Sequence, residues 1–256
     1  MPPEERHFPI TVKDFLDETQ FHLKRGDIIL SRSPNFFSWL IRKTTGSEFS
    51  HAAMVYLVAQ PDKGYHSSFL LESTSLGVGI ANFKSYIEGR NPAAEIAILR
   101  FEDPALDEQF FRHVRGLLLD QIKSTYDYGK AIRLALLAIF GMRLGFANWR
   151  VGASKSMQDV MARTQARMKK WVPKEFICSG YIQFGLVRAA VDLGIDPAKV
   201  LLRDDLTAHS GDYLLAVTPE DMARSKKLSW LMVARRGRVY QAHDRATALR
   251  IISGGR

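Results

Sequence analysis

Apolar segments of strand length are clustered in the first half of the chain, and this clustering constrains the fold more than any other feature. Glycine, proline or short runs of Asn, Asp and Ser separate most of these segments, as is usual between strands. Helical patterns come mainly later, whereas a βαβ repeat would alternate strands with helices. We therefore predict an α+β fold. The predicted strands are Gly26–Arg32, His51–Ala59, Ser67–Ser75, Gly77–Phe83 and Ala94–Phe101.

Two later segments have the apolar spacing of helices. Between Ala105 and Gln121, and again over Cys178–Leu193, apolar residues recur at the i, i+3 and i+4 positions of one helix face. Near the end of the chain, two more predicted strands turn at Gly237. We find no internal repeat. The chain is predicted to form one domain, residues 1–256, with a helical basic insertion at about 130–175.

The positive charge is concentrated in that insertion. The formal net charge of the chain is +9, and Lys130–Lys174 contains ten basic residues against one acid, Asp159. An apolar run, Leu134–Met142, lies in the same segment and is too short to span a bilayer. Such a segment suits an anionic membrane or cell-wall surface. The alternative is a core helix followed by a solvated basic helix. Nucleic acid is the weaker partner, because no recognition motif accompanies the charge.

Other site classes and cellular locations are constrained by what the sequence lacks. One cysteine excludes an internal disulfide framework and any zinc or iron–sulfur site built from several cysteines. There is no His-Glu-x-x-His motif, phosphate-binding glycine loop or Gly-x-Ser-x-Gly elbow, so we expect no metal or other cofactor. The N-terminal residues lack the apolar core of a secretory signal. We therefore expect a cytoplasmic protein, with peripheral membrane association left open by the basic segment.

The single cysteine, Cys178, is the first candidate for a reactive group. It begins a predicted helix, and the positive end of a helix dipole favours the thiolate form of a thiol. Ser179 and Gly180 are small, so a substrate carbonyl could approach the sulfur. The alternative is a buried cysteine that acts only as a small apolar side chain.

A cysteine nucleophile needs a base, and the base needs a group that orients it. Of the seven histidines, His51 begins an apolar strand directly after a small polar run, where its ring could face a cleft. Glu72 interrupts an apolar strand, where a carboxylate needs either a partner or an exposed face. The alternatives are a strand-end histidine bonded to a backbone carbonyl and an edge-strand glutamate facing solvent.

Along the chain, a strand with His51 comes first, then a strand with Glu72 and then a helix with Cys178. This order, together with the segments around these residues, resembles the circularly permuted branch of the NlpC-type papain-like cysteine peptidases, which includes the YaeF/YiiX-like proteins. The matching segments extend from about residue 23 to 225. They are LKRGDIIL, TTGSEFSHAAMV, FLLESTSLGVGIANFKSYI, STYDYGKAI, EFICSGYIQFGL and TPEDMARS.

The resemblance implies a papain-like, permuted core in which an antiparallel sheet packs on the nucleophile helix. It implies that Cys178 is the nucleophile, His51 the base, Glu72 the residue that orients His51, and Tyr126 a group near the oxyanion. The histidine precedes the cysteine by 127 residues, which is the permuted order. The chain departs from the family in the 52 residues between Tyr126 and Cys178, a gap filled by the basic segment.

Three functions are compatible with the sequence. The first is a thiol-dependent hydrolase, a cysteine peptidase or amidase, that cleaves an amide through an acyl-enzyme on Cys178. The resemblance implies a peptide-like substrate. The second is a membrane-associated acyltransferase or phospholipase with an acyl-containing substrate, which would resemble lecithin:retinol acyltransferase. The third is a non-catalytic binding module that uses the basic face of residues 130–174.

Overall fold

The structure is a computed structural model, and the part of the chain that it describes comprises several ranges. These are residues 8–17, 23–34, 38–39, 42–43, 46–58, 63–74, 77–88, 95–122, 125–126, 175–176, 178–203 and 217–254.

The strands of this part form one large antiparallel sheet and one small parallel sheet. They are β1 (Ile10–Thr11), β2 (Ile28–Arg32), β3 (His51–Leu57), β4 (Phe69–Thr74), β5 (Gly77–Asn82), β6 (Glu95–Phe101), β7 (Thr125–Tyr126), β8 (Glu175–Phe176), β9 (Leu228–Arg235) and β10 (Arg238–Gln241). The large sheet has the order β1-β10-β9-β6-β2-β3-β4-β5, and β7 pairs with β8 in the small one. The fold is therefore α+β with a large antiparallel sheet, as predicted.

The α-helices whose two ends both lie in the described ranges accompany these sheets. They are α1 (Val12–Asp17), α2 (Phe83–Ile87), α3 (Glu108–Leu119), α4 (Cys178–Leu193), α5 (Pro219–Arg224) and α6 (Arg245–Ser253), and a 3₁₀ helix spans Pro197–Lys199. No helix of the described ranges has both the length and the apolar character needed to cross a membrane.

The central strands bury side chains on both faces of the large sheet. On β3, Ala52 and Met54 belong to an apolar cluster shared with α3 and α4, whereas Ala53 and Val55 belong to a second cluster shared with α1 and α2. Successive side chains of a strand point to opposite faces, so helices cover the sheet on both sides. This explains why the strand segments read as nearly continuous apolar runs rather than alternating ones.

Helix α4 has the bounds predicted for it, and it is buried along most of its length. It packs against β3 and β4 and also against α3. A Cβ atom added at Gly185 would lie 2.5 Å from the side chain of Leu118 on α3. The missing side chain at Gly185 therefore sets how closely α3 and α4 approach. The Tyr181 hydroxyl, which donates to the backbone oxygen of Leu118 at 2.7 Å, joins the two helices further.

The two strands predicted near the end of the chain are β9 and β10. Arg236 and Gly237 join them, and both have positive φ angles, of 48° and 74°. Positive φ at both central residues is what a two-residue hairpin turn of type I′ requires. Helices α1, α2, α5 and α6 are not among the predicted elements. The helical basic insertion predicted at about 130–175 lies almost wholly outside the described residues, and the single-domain assignment stays a prediction.

A buried ion pair joins Asp27, the residue directly before β2, to Arg100 of β6. Asp27, which is 1% exposed, accepts hydrogen bonds of 2.7 Å at each carboxylate oxygen from Arg100. The backbone N–H of Lys24 donates to the same carboxylate, also at 2.7 Å. Burial raises the pKa of Asp27, and Arg100 opposes this shift by stabilising the carboxylate. The geometry is bidentate, the arrangement in which a guanidinium group best compensates a buried carboxylate.

Candidate active site

Cys178 is the first residue of α4, and its side chain is buried. The next residue anchors this end of the helix, because the Ser179 hydroxyl donates to the backbone oxygen of Val217 at 2.5 Å. The sulfur therefore lies at the positive end of a 16-residue helix whose N-terminus is fixed by a contact outside the helix.

His51 is the first residue of β3, where it pairs with Ser31 of β2. The sheet thus fixes its backbone, while its ring is at the end of the strand and remains 22% exposed. Glu72, on the neighbouring strand β4, is directly opposite Ala53. Residues opposite each other share a face, as do residues two apart on one strand, so Glu72 is a diagonal neighbour of His51.

The carboxylate of Glu72 meets the ring of His51 at hydrogen-bonding distance. The Nε2 atom of His51 is 2.8 Å from Oε2 of Glu72, and the glutamate side chain is 15% exposed. Because Glu72 occupies Nε2, the ring presents Nδ1 to the other partner of His51, which is the Cys178 thiol. The three residues proposed from the sequence are thus brought together in the order cysteine, histidine, glutamate.

The environment of the Cys178 sulfur favours its thiolate form. Burial alone would raise the pKa of the thiol, but the charge of His51 and a hydrogen bond from its ring outweigh burial and lower it. The backbone N–H groups of Ala52 and Ser179 also donate to the sulfur and act in the same direction. Donors that stabilise the anion are what turn a buried cysteine into a nucleophile at neutral pH.

The same contacts favour the protonated form of His51. Burial acts to lower its pKa, but the negative charge and hydrogen bond of Cys178, followed by those of Glu72, raise the pKa of His51 to about 10. The His51 imidazolium in turn lowers the pKa of Glu72, although burial acts against this. These contacts therefore favour a thiolate on Cys178 and an imidazolium on His51, with the Glu72 carboxylate stabilising the cation.

Tyr126, the fourth residue proposed from the sequence, belongs to β7. In the parallel pairing of β7 with β8 its backbone is opposite Phe176, two residues before Cys178. The side chain of Tyr126 falls outside the described part of the structure. Its proposed role near an oxyanion therefore stays a prediction.

Tyr86 is a neighbour of this group that the sequence patterns do not single out. It lies on α2, and its hydroxyl donates a hydrogen bond to the same Oε2 atom of Glu72 that meets His51. The rings of Tyr86 and His51 have centroids 6.1 Å apart. A tyrosine in a short segment after a strand carries no recognisable motif. Its place beside Glu72 depends on the β4–β5 hairpin and on the packing of α2.

Two other histidines pair with carboxylates, which helps to define what is particular about His51. His66 Nε2 is 2.6 Å from Asp17, and His113 Nε2 is 3.2 Å from Asp192. Both rings are more exposed than that of His51, at 33% and 39%. Of these three histidines, His51 alone contacts both a carboxylate and a thiol.

A metal-ligand cluster or a cavity would be an alternative location of a functional site. Within the described ranges, no group of three or more His, Cys, Asp or Glu side chains is arranged to hold a metal ion. A cavity of about 460 Å³ lies near the start of β2 and is lined in part by Lys24, Asp27 and Arg100. Its described lining includes none of Cys178, His51 and Glu72.

Comparison with known proteins gives little beyond this geometry. No protein-family model matches the chain, and no curated protein matches it. One similar solved structure is the metalloprotein yiiX from Escherichia coli O157:H7, which is 16% identical to this chain. That match has a TM-score of 0.39 and covers 81% of this chain and 96% of the other.

Proposed function

We propose that this protein is a thiol-dependent hydrolase that cleaves an amide through an acyl-enzyme on Cys178, with His51 as the base. The observation that carries the proposal is the contact of one histidine with both the only cysteine and a carboxylate. Nucleophile, base and orienting group in mutual hydrogen-bond contact are the general requirement for covalent acyl transfer. Glu72 is the orienting group in this proposal.

The proposal includes a permuted papain-like core of the NlpC type. It is supported by the chain order, in which His51 and Glu72 precede Cys178, and by the packing of β3 and β4 against α4. In a papain-like core the nucleophile begins a helix that packs on the sheet carrying the base. The packing of α4 against β3, whose first residue is His51, supports this part of the proposal.

The first half of the proposed reaction acylates the sulfur. The Cys178 thiolate attacks the carbonyl carbon of the amide, and the carbonyl electrons move to the oxygen. The His51 imidazolium then gives its proton to the departing nitrogen, the C–N bond breaks and an amine leaves. Because the proton already resides on His51, no separate step is needed to activate the thiol.

The second half hydrolyses the thioester. Neutral His51 takes a proton from water, and the resulting hydroxide adds to the acyl carbon. The C–S bond then breaks, the carboxylic acid is released and the thiolate–imidazolium pair is restored. Glu72 holds the imidazole through Nε2 in both halves, so that Nδ1 faces the reacting atoms.

Two donors are proposed for the oxyanion that forms in each half. One is the backbone N–H of Cys178, which is at the start of α4. The other is the hydroxyl of Tyr126, whose assignment rests on the sequence resemblance. Removing one such donor costs about 2.7–4 kcal/mol of transition-state stabilisation in other hydrolases.

The pH dependence of Cys178 alkylation by iodoacetamide, read by intact mass, tests the proposal. The chain has one cysteine, so the label has a single source. We expect rapid labelling of the native protein at about pH 6, and loss of that reactivity in His51→Ala. His66→Ala is the matched control, because it removes a histidine that also pairs with a carboxylate but does not contact the thiol.

A second measurement does not depend on access of the reagent to the buried sulfur. The ultraviolet absorbance of the thiolate, followed in native protein and compared with Cys178→Ser, should show an anion at about pH 6. Titration near pH 9.0, the ordinary thiol value, in both the wild type and His51→Ala would contradict the proposal and favour a binding module. A positive result leads to a screen of peptide-like amides with Cys178→Ala as the inactive control.

The charge of Lys130–Lys174 supports a second candidate, a membrane-associated acyltransferase or phospholipase with the same nucleophile. Ten basic residues and a nine-residue apolar run in one segment suit an anionic lipid surface. Co-sedimentation with phosphatidylserine vesicles that decreases as salt is added would support this candidate. Absence of binding to those vesicles would leave the amide hydrolase.

A further inference from the structure

The Glu72 carboxylate uses one oxygen atom for two partners. Its Oε2 atom is 2.8 Å from Nε2 of His51 and also accepts the hydrogen bond of the Tyr86 hydroxyl. The Tyr86 hydroxyl therefore meets the carboxylate, whereas its ring lies against the imidazole with the ring centroids 6.1 Å apart. The influence of the hydroxyl on His51 is thus expected to pass through Glu72.

The position of Tyr86 is set by contacts that do not involve the site. Helix α2 begins after Asn82, whose side chain accepts the backbone N–H of Ser85 as an N-cap. Phe83 and Ile87, on the same helix, are buried in the apolar cluster that also contains α1. The backbone N–H of Phe83 donates to Ser68 at 2.9 Å, which ties α2 to the residue before β4. The hydroxyl is therefore presented to Glu72 by a preformed element.

A buried carboxylate with a single donor can rotate about its last side-chain bond and lose the geometry that a histidine needs. A second, fixed donor removes this freedom and also compensates the desolvated charge. Tyr86 can serve in this way across the pH range of the site, because burial and then the nearby Glu72 charge raise its pKa well above the ordinary value. It therefore remains protonated and acts as a donor.

Few titratable groups surround this contact in the part of the chain that the structure describes. Glu72 and Cys178 act on Tyr86, and His51 acts on Glu72. Lys84 of α2 and Glu88, the residue after that helix, are about half exposed and pair with each other at 3.7 Å. The Tyr86 hydroxyl thus faces the negatively charged Glu72 carboxylate of the proposed site. Its O–H bond points towards that carboxylate.

We propose that Tyr86 is a positioning residue of this site, whose hydroxyl fixes the Glu72 carboxylate so that it holds the His51 ring in line with Cys178. The inference rests on the proposed function, since it assigns Tyr86 a part in keeping His51 protonated beside the thiolate. It adds a fourth side chain, and a further element, α2, to the group of Cys178, His51 and Glu72.

Tyr86→Phe tests the inference, because it removes the donor and keeps the ring. In this variant we expect the lower limb of the pH profile of Cys178 alkylation to move to higher pH, with a fall of about tenfold in rate at about pH 6. Tyr65→Phe is the matched control. Tyr65 is also buried, and its hydroxyl accepts the backbone N–H of Leu23 at 3.2 Å, so the variant loses a tyrosine hydroxyl bond outside the site.

A double-variant comparison shows whether Tyr86 acts through Glu72. In a Glu72→Gln background, Tyr86→Phe is expected to change the rate by less than about twofold, since the charge to be positioned is absent. An equal effect in both backgrounds would overturn the inference. The double variant Glu72→Gln/Tyr86→Phe removes the hydroxyl donor and the charged acceptor together. It therefore leaves no carboxylate without its donor, and it can be measured if Tyr86→Phe alone does not fold.

The remaining outcomes separate this inference from the proposed function. A wild-type thiol that is reactive at about pH 6, with an unchanged profile in Tyr86→Phe, would overturn the role of Tyr86 and leave the hydrolase proposal standing. Loss of stability in Tyr86→Phe equal to that in Tyr65→Phe, again with an unchanged profile, would show a structural contact only. A wild-type thiol with ordinary reactivity would overturn both proposals.

Discussion

Glu72 lies diagonally across the β3–β4 ladder from His51 and holds the Nε2 atom of that residue at 2.8 Å. The contact is set by strand register and not by sequence proximity, since 21 residues separate the two. A shift of one residue in the register would turn the carboxylate to the other face of the sheet. The pairing of Ala53 with Glu72 therefore determines whether the histidine has an orienting partner.

Glu72→Gln should weaken the ion pair of Cys178 and His51 from both sides. The glutamate charge is one of the causes that raise the pKa of His51, so its removal is expected to lower that pKa by about 1–3 units. A less stable imidazolium in turn raises the pKa of the Cys178 thiol. Nuclear magnetic resonance titration of the His51 ring and the pH dependence of alkylation measure the two shifts. Glu88→Gln, at an exposed carboxylate beside α2, should leave both unchanged.

The Cys178–His51 pair should also give folding stability a defined pH dependence. In the unfolded chain the histidine titrates near 6.5 and the thiol near 9.0. With Cys178 ionised and His51 protonated in the folded protein, as the proposed pair requires, both states bind one proton between these values. The contribution of the pair is then constant. Below pH 6.5 the unfolded state binds the extra proton, and stability falls as pH decreases. Above pH 9.0 the folded state retains its proton up to about pH 10, and stability falls as pH increases.

Urea unfolding of the wild type and of Cys178→Ala/His51→Gln measures this contribution. The difference in unfolding free energy should have a plateau between pH 6.5 and 9.0. On each flank it should decline with a slope of up to about 1.4 kcal/mol per pH unit, the value for one proton. A difference that does not vary with pH would mean that the two groups do not form an ion pair in the folded protein.

The central strands of the fold are predictable from the sequence because each is an apolar run bounded by turn residues. The predicted segment His51–Ala59 corresponds to β3, and Gly77–Phe83 corresponds to β5. Helix α6 (Arg245–Ser253) is not predicted by the apolar patterns. Its signals are local, an Asp244 N-cap and a left-handed Gly254 after its last residue. Capping residues alone do not identify a helix when the apolar pattern between them is weak.

The site is predictable only in part, for a physical reason. Cys178, His51 and Glu72 stand at special points of their own elements, a helix start, a strand start and a polar position within an apolar strand. Tyr86 has no such local signal, because what places it beside Glu72 is the hairpin and the docking of α2. The sulfur contacts of the Ala52 and Ser179 backbones are equally invisible, since every residue but proline has an N–H group.

Arg100→Met should destabilise the fold strongly, because it leaves the Asp27 carboxylate buried without its partner. Loss of one member of a buried pair typically costs about 3–5 kcal/mol. Without Arg100 the pKa of Asp27, already raised by burial, rises further. The unfolded state then binds fewer protons than the folded state, so the cost should grow as pH increases from acid to neutral.

Two comparisons measured by urea unfolding identify the cause. Lys199→Met breaks an exposed pair with Asp103 and is expected to change stability by less than about 1 kcal/mol. Asp27→Asn/Arg100→Met removes both charges and should recover part of the loss. A cost for Arg100→Met no larger than that for Lys199→Met would mean that the buried pair contributes little beyond a surface one.

Two glycines on adjacent helices should respond oppositely to the same substitution. A Cβ atom at Gly185 of α4 would overlap the Leu118 side chain, so Gly185→Ala is expected to lower the unfolding free energy by about 1–3 kcal/mol. At Gly116 of α3 an added Cβ meets no atom within 4 Å, and Gly116→Ala should raise it by about 0.5–1 kcal/mol through helix propensity. Leu118→Ala combined with Gly185→Ala should cost less than the sum of the two single changes, because the smaller side chain makes room for the new Cβ. Additive costs would show that α3 and α4 are not in contact at this point, and the position of the Cys178 helix on the sheet would then need another explanation.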